Sequence, residues 1–283
     1  MDLTKAFAGY RKAAHQLSTV LLSGTLDKDL DWKDHEYLVL SHVISNLAKK
    51  IELVDSVEGA KAIDESGVQL QKLASDLHLT KKAIMKRIIG TIGKLLVYAL
   101  KDEKCIGENE LTCSYFDPIL SRLLANPANN VHLRWSNTTT AETPRQRPDA
   151  VISKMRQLSF GPSLGFGEVK VQSTANHDLC HNLLRLALFS KESIDMNKLA
   201  GCFSFQIHGF GITFYLMQLQ YTGIYTMIEV GHLKFPRSIH ELPTFINPST
   251  LATLLHVGDA FWRLCSTTND PSVIISRSTP TDP

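Results

Sequence analysis

From Met1 to about Asp102 the apolar residues recur at helical spacing. Leu38, Leu40, Val43, Ile44 and Leu47 form one stripe and Ile84, Ile88, Ile89 and Ile92 another, as in helices that bury one face. Residues 24–34 are acidic and turn-like, whereas residues 59–67, weakly apolar and charged, fit helix and loop equally well. After Gly107 the pattern changes. A helix predicted over 110–125 gives way to Asn126-Pro127 and then to β-rich runs bounded by Pro and Gly: VHLRW at 131–135, PDAVIS at 148–153 and GFGEVKV at 165–171. An amphipathic helix over 176–191 follows, with Leu179, Leu183, Leu184, Leu186 and Leu188 on and around one face. Three more strands, CFSFQIH, ITFYLMQLQ and IYTMIEVGHLKF, are separated by turns at 209–211 and at Thr222-Gly223. A last helix spans 247–265, and the polar end SRSTPTDP is expected to fray. The interleaving predicts an α/β (α+β) chain with a helical N-terminal region at 1–104, a mixed sheet flanked by helices at 105–270, and a polar tail at 271–283.

Composition narrows the class without choosing a function. The chain has 283 residues, 43% hydrophobic and 20% charged, which excludes disorder and fibrous repeats. A formal net charge of +2 gives no global field that would identify a polyanionic partner. The five cysteines are odd in number, scattered and never spaced C-x-x-C, against both a disulfide framework and a thiolate zinc module. Lys5, Arg11 and Lys12 interrupt the first apolar residues, and no stretch approaches the roughly 20 apolar residues of a membrane span. The expectation is an intracellular protein of nucleus or cytoplasm, neither secreted nor a membrane partner.

The candidate chemistry lies on the second and third of the predicted strands. Glu168 and Lys170 are two residues apart, so strand alternation puts both on one face while Val169 and Val171 face the other. On the preceding strand, Asp149 follows Pro148 and precedes Ala150, Val151 and Ile152, a lone carboxylate at the start of an apolar run. Carboxylates at the edge of a core are costly unless paired or bound to a metal. Two hard oxygen donors from adjacent strands suit Mg²⁺ (or Mn²⁺), with Asp149 and Glu168 as ligands and Lys170 beside a metal-bound water.

Pro148-Asp149, a hairpin and then Glu168-Val169-Lys170 resemble the signature of the PD-(D/E)XK nuclease superfamily, over roughly residues 108–219. The phrases RPDAVIS, FGPSLGFGEVKV, HDLCHNLLRLALFSK and CFSFQIHGF are also similar to those of uncharacterised fungal proteins with such a domain. The resemblance implies a restriction-endonuclease-like sheet and metal-dependent hydrolysis of phosphodiester bonds in nucleic acid, with DNA the expected form. It implies catalytic roles for Asp149, Glu168 and Lys170. It also implies a further glutamate on the first helix, Glu110 with Glu108 nearly as well placed, and polar groups from the helix after the third strand, His181 and Arg185. Two other carboxylate-x-Lys triplets, Asp31-Trp32-Lys33 and Asp102-Glu103-Lys104, lie in hydrophilic non-strand sequence.

Other readings of the same residues belong to different classes. Gly165-Phe166-Gly167 is similar to a kinase phosphate loop, but Lys170 stands where the third glycine belongs and no H-R-D or D-F-G follows. A hairpin turn and a close backbone approach explain those glycines. His177 and His181 have the i, i+4 spacing of a zinc helix, with Asp178 in place of the general-base glutamate and no third ligand evident. Leu73 to Gly90 reads as a helix, a break and a basic helix similar to a helix-turn-helix, with Lys81, Lys82, Lys86 and Arg87 as phosphate contacts. The alternative to an enzyme is a catalytically inactive nuclease fold that binds nucleic acid or another protein. A homodimer fits an enzyme that cuts both strands.

Overall fold

The computed structural model describes residues 42, 43, 46, 57–76, 83–98, 106–237 and 241–279. They fall into two compact units, one from Leu124–His232 and Asp259–Pro283, the other from Asp27–Leu123 and Leu233–Gly258. The units interleave along the chain, whereas the sequence pattern suggested serial segments. The fold class is α+β, with a six-stranded mixed sheet flanked by helices and a helical N-terminal region.

In the second unit, α1 (Val57–Asp76) packs against α2 (Ala83–Tyr98). The undecided residues 59–67 are helical. Their buried positions, Ala62, Ser66 and Leu70, are four apart but mostly small, which hides the stripe from a hydrophobic count. Met85, Ile88, Ile89 and Ile92 are buried on α2. The next helix, α3 (residues 108–124), runs through a π-helical stretch at Leu111–Phe116, and Phe116 meets Phe235 edge-on at 5.3 Å. No helix among the described residues is long and apolar enough to cross a membrane.

The first unit carries the sheet, whose spatial order follows the chain: β1 (Val131–Arg134), β2 (Ala150–Arg156), β3 (Ser159–Lys170), β4 (Cys202–His208), β5 (Gly211–Tyr221) and β6 (Ile224–Lys234). β1–β2, β2–β3 and β4–β5 are antiparallel, and β3–β4 is parallel, joined by the crossover helix α4 (Asn176–Asn197). α5 (Pro248–Leu264) and α6 (Pro271–Arg277) complete the chain. The last of these lies at the start of the segment expected as a polar tail, mostly ahead of the phrase expected to fray, which begins at Ser276. Asp270 caps it by accepting from the Ser272 N–H at 3.1 Å, and Pro271 occupies its first turn.

β3 starts six residues earlier than the sequence suggested, and the hairpin turn lies at Gln157 and Leu158 rather than at the Gly165–Gly167 pair. Between the Ile152–Gly165 and Met155–Phe160 pairs, β3 carries more residues than β2, and these register shifts accommodate Pro162, which has no N–H to pair. The glycines serve close approach instead. A Cβ on Gly167 would sit 2.2 Å from the Phe205 ring. Gly167→Ala is expected to destabilise the protein by about 1–3 kcal/mol through overpacking. Urea denaturation measures it, and an unchanged midpoint would contradict this packing.

α4 covers one face of the sheet, with Leu186 alone of the predicted leucine stripe buried there. Leu184 is 59% and Leu188 47% exposed, whereas Asn182, Leu186, Phe189, Ser190, Ser193 and Ile194 are buried. Phe166 packs on Phe189, and Ser190 and Ser204 share a hydrogen bond of 2.7 Å. Small hydroxyl side chains let the helix lie close to the strands. The reverse face is aromatic: Phe203 contacts Phe214 and Phe261, and Trp135 meets Phe205 edge-on.

Candidate active site

β2 and β3 place the predicted carboxylates side by side. Ala150 pairs with Gly167, so Asp149, the residue before β2, enters beside Glu168. Pro148 is buried, and Asp149 Oδ2 accepts the Val169 N–H at 2.8 Å. A backbone donor therefore fixes the carboxylate against the strand that bears its partner. Alternation along β3 directs Glu168 toward α4 and Val169 to the reverse face.

Glu168 is fully buried. Arg185 of α4 donates from Nη1 to its Oε2 at 3.1 Å, while Oε1 has no hydrogen-bond partner among the described residues. Burial pushes the Glu168 carboxyl up to about 8, and the neighbouring Asp149 adds to the shift, outweighing the opposing charges of Arg185 and Lys170. Near neutral pH the isolated site therefore holds a proton on this carboxyl. Lys170 stands half-buried on the same face, its Nζ 2.8 Å from the Val169 carbonyl oxygen and 3.9 Å from Asp149 Oδ2.

The helix supplies more than one group. Arg185 Nη1 also lies 3.4 Å from Asn182 Oδ1, and Nη2 donates to the Arg147 carbonyl at 2.9 Å, tying the loop before Asp149 to α4. Asn182 is buried, and its Nδ2 has no hydrogen-bond partner among the described residues. Gln206 lies beside Glu168 in the parallel register and donates to the Leu179 carbonyl at 2.7 Å, fixing the helix start over the strands.

Sequence reading missed Glu142. It is buried on the loop between β1 and β2, where it accepts from the Ser163 N–H at 3.1 Å, the Ser163 hydroxyl at 2.9 Å and Asn197 Nδ2 at 2.7 Å. Burial alone would raise this carboxyl, but the Asn197 and Ser163 hydrogen bonds outweigh it and hold Glu142 below the usual range. Two buried glutamates thus have opposite fates. Glu142 is an ionised anchor surrounded by donors, whereas Glu168 lacks enough donors to ionise readily. No motif marks Glu142. Asn182 was legible in principle, one turn before the predicted Arg185, had small and polar residues been counted on the helix's inner face.

The remaining predicted residues take no part in the contacts just described. Glu110 and Glu108 are exposed at the start of α3, in the other unit. His181 and His177 are exposed on α4, and no cluster of three or more His, Cys, Asp or Glu side chains suited to a metal occurs among the described residues. Asp149 and Glu168 therefore stand as a pair of carboxylates. In the second unit Lys86 is exposed, while Arg87 is half-buried with Nη1 3.5 Å from the Arg122 carbonyl oxygen. Burial lowers its pKa. Lys81 and Lys82, and with them the turn of the proposed helix-turn-helix, lie outside the described residues.

No family model, curated protein or solved structure matches the chain.

Proposed function

We propose that the protein is a divalent-cation-dependent phosphodiesterase that cuts nucleic acid, with Asp149, Glu168 and Lys170 as its catalytic residues. The supporting observation is the buried Glu168 carboxyl set beside a second carboxylate, with no protein N–H at its Oε1. Such a pair is costly to ionise in a fold unless something cationic completes it. Asp149 and Glu168 would hold Mg²⁺ or Mn²⁺. The bound ion would supply Lewis-acid polarisation of the scissile phosphate and a lowered pKa for a coordinated water.

The chain's own groups perform the remaining work. Asp149, fixed by the Val169 N–H, keeps one carboxylate oriented before substrate arrives. Arg185 holds Glu168 in a single rotamer and offsets part of the negative charge when its proton leaves. Lys170 lies on the same face, where its ammonium stabilises charge developing on the phosphate and orients the attacking water. The Val169 carbonyl restrains that ammonium near the site.

The experiment is cleavage of plasmid DNA and of an RNA transcript with Mg²⁺ or Mn²⁺. Cleavage is expected to stop with EDTA and to persist with a zinc-selective chelator. Activity that survives EDTA would overturn the metal-based reading. A binding-only module is the second reading, favoured by Arg185, which already takes one Glu168 oxygen. It requires that no cleavage occurs with either ion while nucleic acid still binds.

A further inference from the structure

The chain enters the carboxylate pair through a segment pinned at three points. Glu142 is hydrogen-bonded to Ser163 and Asn197, the Arg147 carbonyl accepts from Arg185 Nη2 at 2.9 Å, and Asp149 Oδ2 accepts the Val169 N–H at 2.8 Å. Between the first two pins the Gln146 N–H donates to the Thr143 carbonyl at 3.3 Å, closing a turn with Pro144 and Arg145 at its corners. Arg145 and Arg147 are both exposed on this short stretch. Among the described residues neither enters an ion pair. The acidic residues that flank them in sequence are Glu142, buried and engaged, and Asp149, which belongs to the site. A pinned turn that presents two guanidiniums beside an active site is preorganised for an anion, because its ordering occurs in folding and not in binding.

We propose that Arg145 and Arg147 form a subsite for the phosphate next to the scissile one, so that the substrate is a nucleic-acid chain with at least two consecutive phosphates. Arg147 is two residues from Asp149, a backbone span of at most about 7 Å. Arginine suits the task, because its planar fork of N–H donors matches phosphate oxygens two at a time. Charge leads to the same partner. Lys170, Arg185, Arg145 and Arg147 gather about a pair of carboxylates, one of which, Glu168, retains its proton near neutral pH. A lone phosphodiester brings one negative charge and leaves most of that excess in place, whereas a consecutive phosphate reduces it further. Lys154 and Arg156 take no part, since strand alternation puts them on the face opposite Asp149 and Glu168. The scissile bond rests on the phosphodiesterase reading; the contribution of the subsite to binding is independent of cleavage.

Substrates with a single cleavable linkage test the subsite in Mn²⁺: thymidylyl-thymidine, the same dinucleotide with a phosphate added at its 5′ end, and the same with a phosphate added at its 3′ end. One of the added phosphates is expected to raise kcat/KM by about 10- to 150-fold, the effect of a charge-assisted hydrogen bond. The double variant Arg145→Ala, Arg147→Ala should abolish that gain, and Arg147→Lys should keep part of it. Binding is measured separately, by anisotropy of the full chain with labelled oligothymidylate in EDTA over a range of salt concentrations. Arg145→Ala, Arg147→Ala should lower the log–log salt slope by about 1 to 1.5, whereas Lys154→Ala, Arg156→Ala should leave it unchanged. All these positions are exposed, and thermal melts check that each variant folds. Cleavage of the three dinucleotides at one rate, or equal slope losses from the two double variants, would overturn the subsite and leave the phosphodiesterase reading standing. Binding that depends on Arg145 and Arg147 in a protein that cuts nothing would sustain the subsite and reject only the phosphodiesterase reading. A protein that neither binds nor cuts rejects both.

Discussion

Lys170→Ala is expected to reduce single-turnover cleavage by about 10² to 10⁴ while leaving nucleic-acid affinity nearly unchanged. The variant removes the ammonium but neither carboxylate, and Asp149 keeps its hydrogen bond from the Val169 N–H. Lys170 lowers the Glu168 pKa, so its loss raises the proton affinity of that carboxyl further. Cation binding should therefore weaken near neutral pH and recover as pH rises, whereas cleavage should not recover. The pH profile thus separates loss of the reacting group from loss of the metal. Calorimetry of Mn²⁺ binding and single-turnover assays across pH measure both. Wild-type cleavage that Lys170→Ala leaves untouched would remove Lys170 from the mechanism.

The second large effect is on stability. Glu168 has its carboxyl pKa pushed from the ordinary 4.5 to about 8 in the folded protein, so between those values the native state binds more protons than the unfolded chain. Stability in EDTA should fall as pH rises from about 5 to 8, since ionisation costs more in the fold than in water. At about 1.36 kcal/mol per unit, the loss is on the order of a few kcal/mol. Glu168→Gln keeps the shape without the ionisation, so its stability should be flatter over that range and exceed wild type at pH 8. Saturating Mg²⁺ should flatten the wild-type curve alone, because binding requires the deprotonated carboxylate. Urea midpoints at several pH values provide the test, and parallel curves for the two proteins would refute the perturbed carboxyl.

The pairing of Asp149 with Glu168 and Lys170 was readable because strand alternation is strict and the flanking residues are apolar: Ala150, Val151 and Ile152 specify β2, and Val169 fixes which way Glu168 points. The order of helix and strand was readable for the same reason. The seat of α4 was not. Its buried face contains Asn182, Ser190 and Ser193, whose contribution is close approach and hydrogen bonding, and the exposed Leu184 and Leu188 drew the pattern to the wrong side. Gly165 and Gly167 look like turn residues in sequence, yet their purpose is room for the Phe203 carbonyl and the Phe205 ring across the sheet. Glu142 was invisible because its meaning depends on Ser163 and Asn197, residues 21 and 55 positions away.

The sheet's parallel step sets the order in which such a protein can assemble. β2–β3 and β4–β5 are antiparallel pairs joined by tight turns, so each can zip from its own hairpin. The β3–β4 seam cannot, because α4 must first cross back over the strands. Glu168 lies on that seam opposite Gln206, beneath the helix that makes the crossing. Before the seam closes, its carboxylate faces water with an ordinary proton affinity. Docking of the two halves near neutral pH is therefore expected to draw a proton from solvent onto the seam, and under the proposed function a bound cation would expel it.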